Sequence, residues 1–241
     1  SISIVNVKGA SIARASEYVI YTNAGPEIAV ASTKAYTTQL AVLYLLTARM
    51  AMARKLWSDE QMKEYMEELQ RVPAVMEEVL KSKEEIHHIA DTMLNARDVF
   101  MIGRGLDYSI LLEGSLKLKE ISYIHSEAYA SGELKHGTIA LITEETPVIA
   151  VVTQDKLKSK ELSNIKEVQS RGARVILLIK GQEELEQEKI WSSIFRLPVM
   201  KDEFMVMPVS IVLQLIAYYV SLDKGLDVDK PRNLAKVVTV E

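Results

Sequence analysis

A chain of 241 residues with 48% hydrophobic and 26% charged side chains has ample material for a core and no compositional sign of disorder. A net charge of −4 without a strong basic run argues against general nucleic-acid binding, which needs a basic face for the phosphate backbone. The lack of cysteine excludes disulfides, thiolate metal sites and a cysteine nucleophile within the chain, and is neutral to mildly favourable for a cytoplasmic location.

In chain order, residues 1–8 and 17–22 are short β-branched runs closed by turn residues and read as strands. A chain already in a strand at its first residues is expected to be a piece of a longer protein. Asn23-Ala24-Gly25-Pro26 is a turn, and a long helix is expected from about Thr33 to Lys55. Its apolar stretch around Leu40 is flanked by Lys34, Thr37, Thr38, Thr47 and Arg49, so it reads as a core helix and not as a membrane span. Met62, Met66, Leu69 and Val72 mark a second amphipathic helix ending at Pro73, and a charged helix covers 74–96. Beyond it strand and helix alternate: strand 98–105, helix from Leu106, strand 147–153, helix 157–171, strands 173–179 and 193–199, helix 204–222. The pattern is α/β with a mainly parallel sheet, divided near residue 75 into domains 1–75 and 76–241.

In such sheets ligands sit beyond the carboxyl ends of the strands, where the chain turns into helices. Gly103-Arg104-Gly105 occupies such a turn, but it lacks the third glycine of a dinucleotide fingerprint and the lysine of a phosphate loop. No cofactor and no metal are expected, and His87 and His88 read as surface residues. On the helix after the turn, Glu113, Lys117 and Glu120 fall on one stripe at i, i+4 and i+7 beside an apolar face. The pairing suits proton transfer, and an ordinary helix salt bridge is the alternative. His125 and His136 flank what reads as a loop rich in Glu127, Glu133 and Lys135.

Three stretches are specific: NAGPEIAVASTKAYTTQL at 23–40, LKLKEISYIHSEAYASGELKHG at 116–137 and DVDKPRNLAKVVTVE at 227–241. Together they resemble the isomerase half of the glutamine:fructose-6-phosphate amidotransferases. The resemblance implies two sugar isomerase (SIS) domains, each a parallel sheet flanked by helices in three layers, the first incomplete within 1–75 and the second within 76–241 with a catalytic tail. It implies fructose 6-phosphate and ammonia as substrates, glucosamine 6-phosphate as product, a cytoplasmic homodimer, and a glutaminase domain elsewhere in the parent protein, with no nucleic acid and no membrane as partner. By the same resemblance Glu120 matches the base that moves a proton from C1 to C2, and Lys117 the lysine that orients it. His136 matches the ring-opening histidine supplied by the adjacent subunit. Lys236 matches the lysine that forms a Schiff base with the open-chain ketone, and Val30, Ala31 and Ser32 the segment touching the sugar. Thr138 and Val237 depart from the residues frequent at their positions, without removing a reacting group. The phosphate loop of the family lies upstream of these motifs, so the fragment alone is expected to be inactive. Another SIS isomerase or deglycase, or a sugar-phosphate-sensing module, is the alternative; the sensing module would need neither Lys236 nor Glu120.

Overall fold

The computed structural model describes residues 1–182 and 191–236, which form two units: Ser1–Arg71 together with the chain from Arg232, and Val72–Pro231. The sequence pattern puts the division at residue 75, and the units part between Arg71 and Val72. The tail expected with the second domain instead groups with the first unit.

In the first unit, β1 (Ile2–Val5) pairs in parallel with β2 (Tyr18–Tyr21), joined through the short α1 (Ser11–Ala15). The expected long helix is α2 (Lys34–Ala53), which packs on β1. Next comes α3 (Asp59–Lys81), which does not stop at Pro73 as the sequence suggests. Proline removes one backbone donor, yet Val72, Val75 and Val79 lie on one face across it and are buried, so packing holds the helix together. The charged stretch that follows is broken at Ser82, after which α4 (Lys83–Asp91) begins.

The second unit is built on a five-stranded parallel sheet of β3 (Asp98–Gly103), β4 (His125–Ala130), β5 (Pro147–Val152), β6 (Arg174–Lys180) and β7 (Ser193–Leu197), in the order β4-β3-β5-β6-β7. Its central strands are near-continuous apolar runs, as strands covered on both faces require. Phe100, Ile102, Val148, Ala150, Val175, Leu177 and Ile179 pack with Ile165 and Val168 of α6 (Lys158–Gln169). The residues between them, including Met101, Ile149, Val151 and Ile176, are buried on the opposite face, where α5 (Leu106–Ser122) packs on β3 and β5. The strand β4 lies within the stretch read as a loop: HSEAYA has almost no β-branched character, and pairing with β3 alone specifies it.

The last helix, α7 (Val206–Asp223), packs against α4 and α5. With the turn before it, it is long and apolar enough to cross a membrane by composition, a stronger case than the stretch around Leu40, yet 67% of its apolar window is buried inside the unit. The helices α5 and α7 meet closely at Gly114, where a Cβ would stand 2.6 Å from Leu213 Cδ1. At the carboxyl end of β3, a Cβ on Gly103 would meet the backbone of Asp107 at 2.9 Å, so glycine lets the chain turn at once into α5.

Candidate active site

On α5 the sequence stripe becomes a compact charge cluster. Lys117 is 5% exposed, and its Nζ donates to Glu120 Oε2 at 2.6 Å with Glu113 Oε1 at 3.6 Å. A lysine this buried is not a solvated helix pair; it stays in place only because carboxylates compensate its lost hydration. Burial pushes the Glu113 carboxyl above its ordinary range, Lys117 opposes the shift, and the Glu120 charge adds to it. Glu120 keeps 23% of its side chain exposed, so the carboxylate that the lysine orients can still meet a ligand.

His136 closes a 3-10 turn, Leu134–His136, and is solvent-exposed. Leu134 anchors this turn, being buried in the core under the sheet. Among the described residues the His136 ring makes no hydrogen bond or ion pair, so the second unit does not join it to Lys117 or Glu120. His125 does not share a loop with it; its ring lies on β4, 2.8 Å from Asp98 Oδ1.

In the first unit the tail returns to the segment before α2. Lys236 Nζ donates to the Ala29 carbonyl at 2.9 Å, to Ser32 Oγ at 2.8 Å and, more weakly, to the Val30 carbonyl at 3.4 Å. Three acceptors match the three donors of an ammonium. Of these partners only the serine hydroxyl can turn and donate to a neutral amine. Ala31, between them, is 5% exposed. Ser32, Lys236, Asn6, Lys8, Asn23 and Glu27 line a cavity of about 630 Å³. Asn6 braces it, donating to the Gly25 carbonyl at 2.7 Å and accepting from the Ala24 amide at 2.9 Å. Four of the seven expected residues, Lys236, Val30, Ala31 and Ser32, therefore share one cradle.

Other polar groups escaped the sequence reading. At the carboxyl edge of the second unit's sheet, Ser131 Oγ donates to Glu161 Oε1 at 2.6 Å, while the buried Glu161 Oε2 lacks a hydrogen-bond donor among the described residues and Arg104 Nε stands 3.7 Å away. Burial raises the Glu161 carboxyl to about 7, against the pull of Ser131 and Arg104. Asp107 is buried beside this edge and is also raised by burial, although it accepts from the Thr153 amide at 2.8 Å and from the Thr153 hydroxyl. Where α4 meets the end of α7, His87 Nε2 lies 2.7 Å from Asp223 Oδ2 and 3.8 Å from Asp91 Oδ1, with ligand atoms close enough together to admit an ion. Helix spacing could show only the His87 and Asp91 half of that group.

Comparison with known proteins gives these residues a context. Residues 1–49 and 92–223 match the model of the SIS domain. A glutamine–fructose-6-phosphate aminotransferase (isomerizing) of Caldanaerobacter subterraneus is 52% identical over 240 residues, and the same enzyme of Methanosarcina acetivorans is 47% identical over 242. Each match covers the whole chain, which spans 39% of the length of these curated relatives. The solved C-terminal domain of glucosamine-fructose-6-phosphate aminotransferase from Francisella tularensis superposes with a TM-score of 0.91 at 42% identity, covering 96% of this chain and 65% of that one. A tagatose-6-phosphate ketose/aldose isomerase structure from Escherichia coli, 16% identical with a TM-score of 0.72 and covering 100% of this chain and 63% of that one, shares the fold. Parallel sheet, flanking helices and matched residues agree, and the chain belongs to the SIS domain family.

Proposed function

We propose that this chain is the isomerase part of a glutamine:fructose-6-phosphate aminotransferase, turning fructose 6-phosphate and ammonia into glucosamine 6-phosphate. The observation that carries the reading is the Lys236 amine held 2.8 Å from Ser32 Oγ, 204 residues away in sequence. A lysine in an irregular tail is ordinarily a solvated charge without fixed partners; this one, though exposed, has its amine tied to three oxygens at the wall of a cavity large enough for a hexose phosphate.

In this reading His136, acting in the neighbouring subunit, helps open the sugar ring, exposing the C2 ketone. Lys236 as a neutral amine adds to C2, and water leaves as the imine forms. Ammonia then displaces the lysine nitrogen at C2, which frees Lys236 and leaves the sugar imine. Glu120 takes a proton from C1 and returns it to C2 while the C1 hydroxyl proton passes to the nitrogen, so that C2 carries an amine and C1 becomes an aldehyde, which a sugar hydroxyl then captures as the ring closes. Lys117 holds the Glu120 carboxylate in one orientation and balances its charge. Val30, Ala31 and Ser32 present backbone and hydroxyl groups to the sugar. By the resemblance, the ammonia comes from a glutaminase domain in the parent protein, and the assembly is a cytoplasmic homodimer in which His136 serves the neighbouring subunit.

Borohydride reduction of the full-length protein in the presence of fructose 6-phosphate tests the reading. A sugar adduct on Lys236, mapped by peptide mass, is the expected result; an adduct on another lysine, or none under turnover conditions, overturns it.

A further inference from the structure

The cradle that fixes Lys236 is itself held by a residue that neither motif chemistry nor family resemblance assigns. Glu27 lies at the start of the segment that carries the Lys236 acceptors. Its Oε1 accepts from the Thr33 amide at 3.0 Å and from Thr33 Oγ1 at 3.4 Å, and its Oε2 accepts from the Ala35 amide at 3.0 Å. These amides belong to the start of α2, whose N-cap residue, Thr33, makes no capping bond with its own side chain. A carboxylate from outside the helix thus takes the place of the usual cap, where exposed N–H groups and the helix dipole favour negative charge.

The position of the closure matters more than the cap itself. Bonds from residue 27 to residues 33 and 35 tie off a short loop, and inside it are all three oxygen acceptors of Lys236: the carbonyls of Ala29 and Val30 and the hydroxyl of Ser32. Ala31 gives the loop one buried anchor, but Ile28 is 83% exposed and Val30 and Ser32 are half-buried, so the bonds to Glu27 supply much of the rest of its hold. Glu27 also lines the same cavity as Lys236.

We propose that Glu27 is a positioning residue for Lys236: its carboxylate pins the 29–32 segment and thereby sets where the lysine amine stands. The inference concerns the reactive amine of the function proposed above and rests on that reading for its catalytic meaning, though not for its geometry. Loss of the carboxylate frees the loop, and the amine loses its three fixed partners. A freed lysine is more open to small acylating reagents and less often aimed at a bound ketone.

The test uses the full-length protein as wild type, Glu27→Ala and Glu27→Gln, treated with trace acetic anhydride. Acetylation at Lys236 is read against the exposed Lys55 in the same digest. Glu27→Ala is expected to raise the ratio roughly two- to thirtyfold, the range that loss of a helix cap implies, and Glu27→Gln, which keeps one acceptor oxygen, to fall between. The borohydride-trapped sugar adduct should fall in the same order. A residue acting only as a helix cap would lower the melting temperature and leave the labelling ratio of the folded protein unchanged, and that result overturns the proposal. If Glu27→Ala does not fold, the ratio in Glu27→Gln decides in the same way. A raised ratio with no adduct in the wild type upholds the positioning and removes the imine chemistry instead.

Discussion

Lys117 donates to Glu120 at 2.6 Å from a position that leaves the lysine only 5% exposed. The carboxylate is therefore oriented by a buried charge, while itself remaining within reach of solvent. In the proposed reaction that division of labour has a measurable consequence. Glu120→Gln keeps size and hydrogen-bonding capacity but removes the group that accepts a proton. Isomerisation by the full-length enzyme should fall on the order of 10²- to 10⁴-fold, the usual worth of a general base. Stability should also fall, by about 1 to 3 kcal/mol, because the amide still accepts from Lys117 but leaves the lysine with Glu113, at 3.6 Å, as its one compensating carboxylate in the cluster. Exchange of the sugar C1 proton with deuterated solvent, followed beside thermal unfolding, separates the two effects. Near-normal exchange with a lowered melting temperature would make Glu120 structural.

Lys236→Arg keeps the positive charge and donors for the Ala29 and Ser32 oxygens, but a guanidinium stays protonated and is a poor nucleophile. The variant should fold like the wild type and lose the borohydride-trapped adduct entirely. Turnover should fall with it, while glutamine hydrolysis by the parent protein should persist. An undiminished adduct in this variant would place the imine on another lysine.

Gly114 tests the packing that holds α5, and with it Lys117 and Glu120, against α7. A Cβ there would stand 2.6 Å from Leu213 Cδ1 and 3.1 Å from its Cβ. Alanine would ordinarily gain about 1 kcal/mol over glycine in a helix, but overpacking costs about 1 to 3 kcal/mol. Gly114→Val, with more bulk and a smaller propensity gain, should destabilise by about 2 to 3 kcal/mol. Adding Leu213→Ala should recover part of the loss, since it opens the space the new methyl groups need. Equal stability of Gly114→Val and wild type in urea unfolding would show that the helices separate without cost.

What could be read from the chain alone divides along a physical line. The strands β3, β5 and β6 and the helix α5 were legible because local pattern and tertiary burial coincide there: long apolar runs, closed by glycine or polar residues. The strand β4 was not, because its identity comes from pairing with β3. Nor was the passage of α3 through Pro73, where packing of Val72, Val75 and Val79 overrides a local signal. The stripe of Glu113, Lys117 and Glu120 followed from helical spacing, but its burial did not. Lys236 meets Ser32 only through folding, so resemblance alone could single it out. Glu161 carried no motif, and Glu27 lay within the 23–40 stretch without a role assigned to it; the meaning of both lies in which amides and hydroxyls the fold brings to them.

Glu161 makes the sharpest pH prediction. Its carboxyl rises from an ordinary 4.5 to about 7 in the folded protein, chiefly through burial, with Ser131 and Arg104 only partly compensating. Between these values the folded state binds more protons than the unfolded one, so stability falls as pH rises. The contribution is full below about pH 4.5 and lost by the time pH has passed 7, amounting to about 3 kcal/mol at most. Asp107, also raised by burial, tilts the curve in the same direction over its own window. Glu161→Gln is neutral at every pH and keeps an oxygen to accept from Ser131 Oγ. The variant should therefore match or fall below the wild type at pH 5 and exceed it at pH 8, with a flatter profile whose residual slope belongs to Asp107. Melting temperatures across pH 5 to 8 decide the matter: parallel curves for the two proteins would mean that Glu161 is ionised throughout, with Arg104 compensating the buried charge in full.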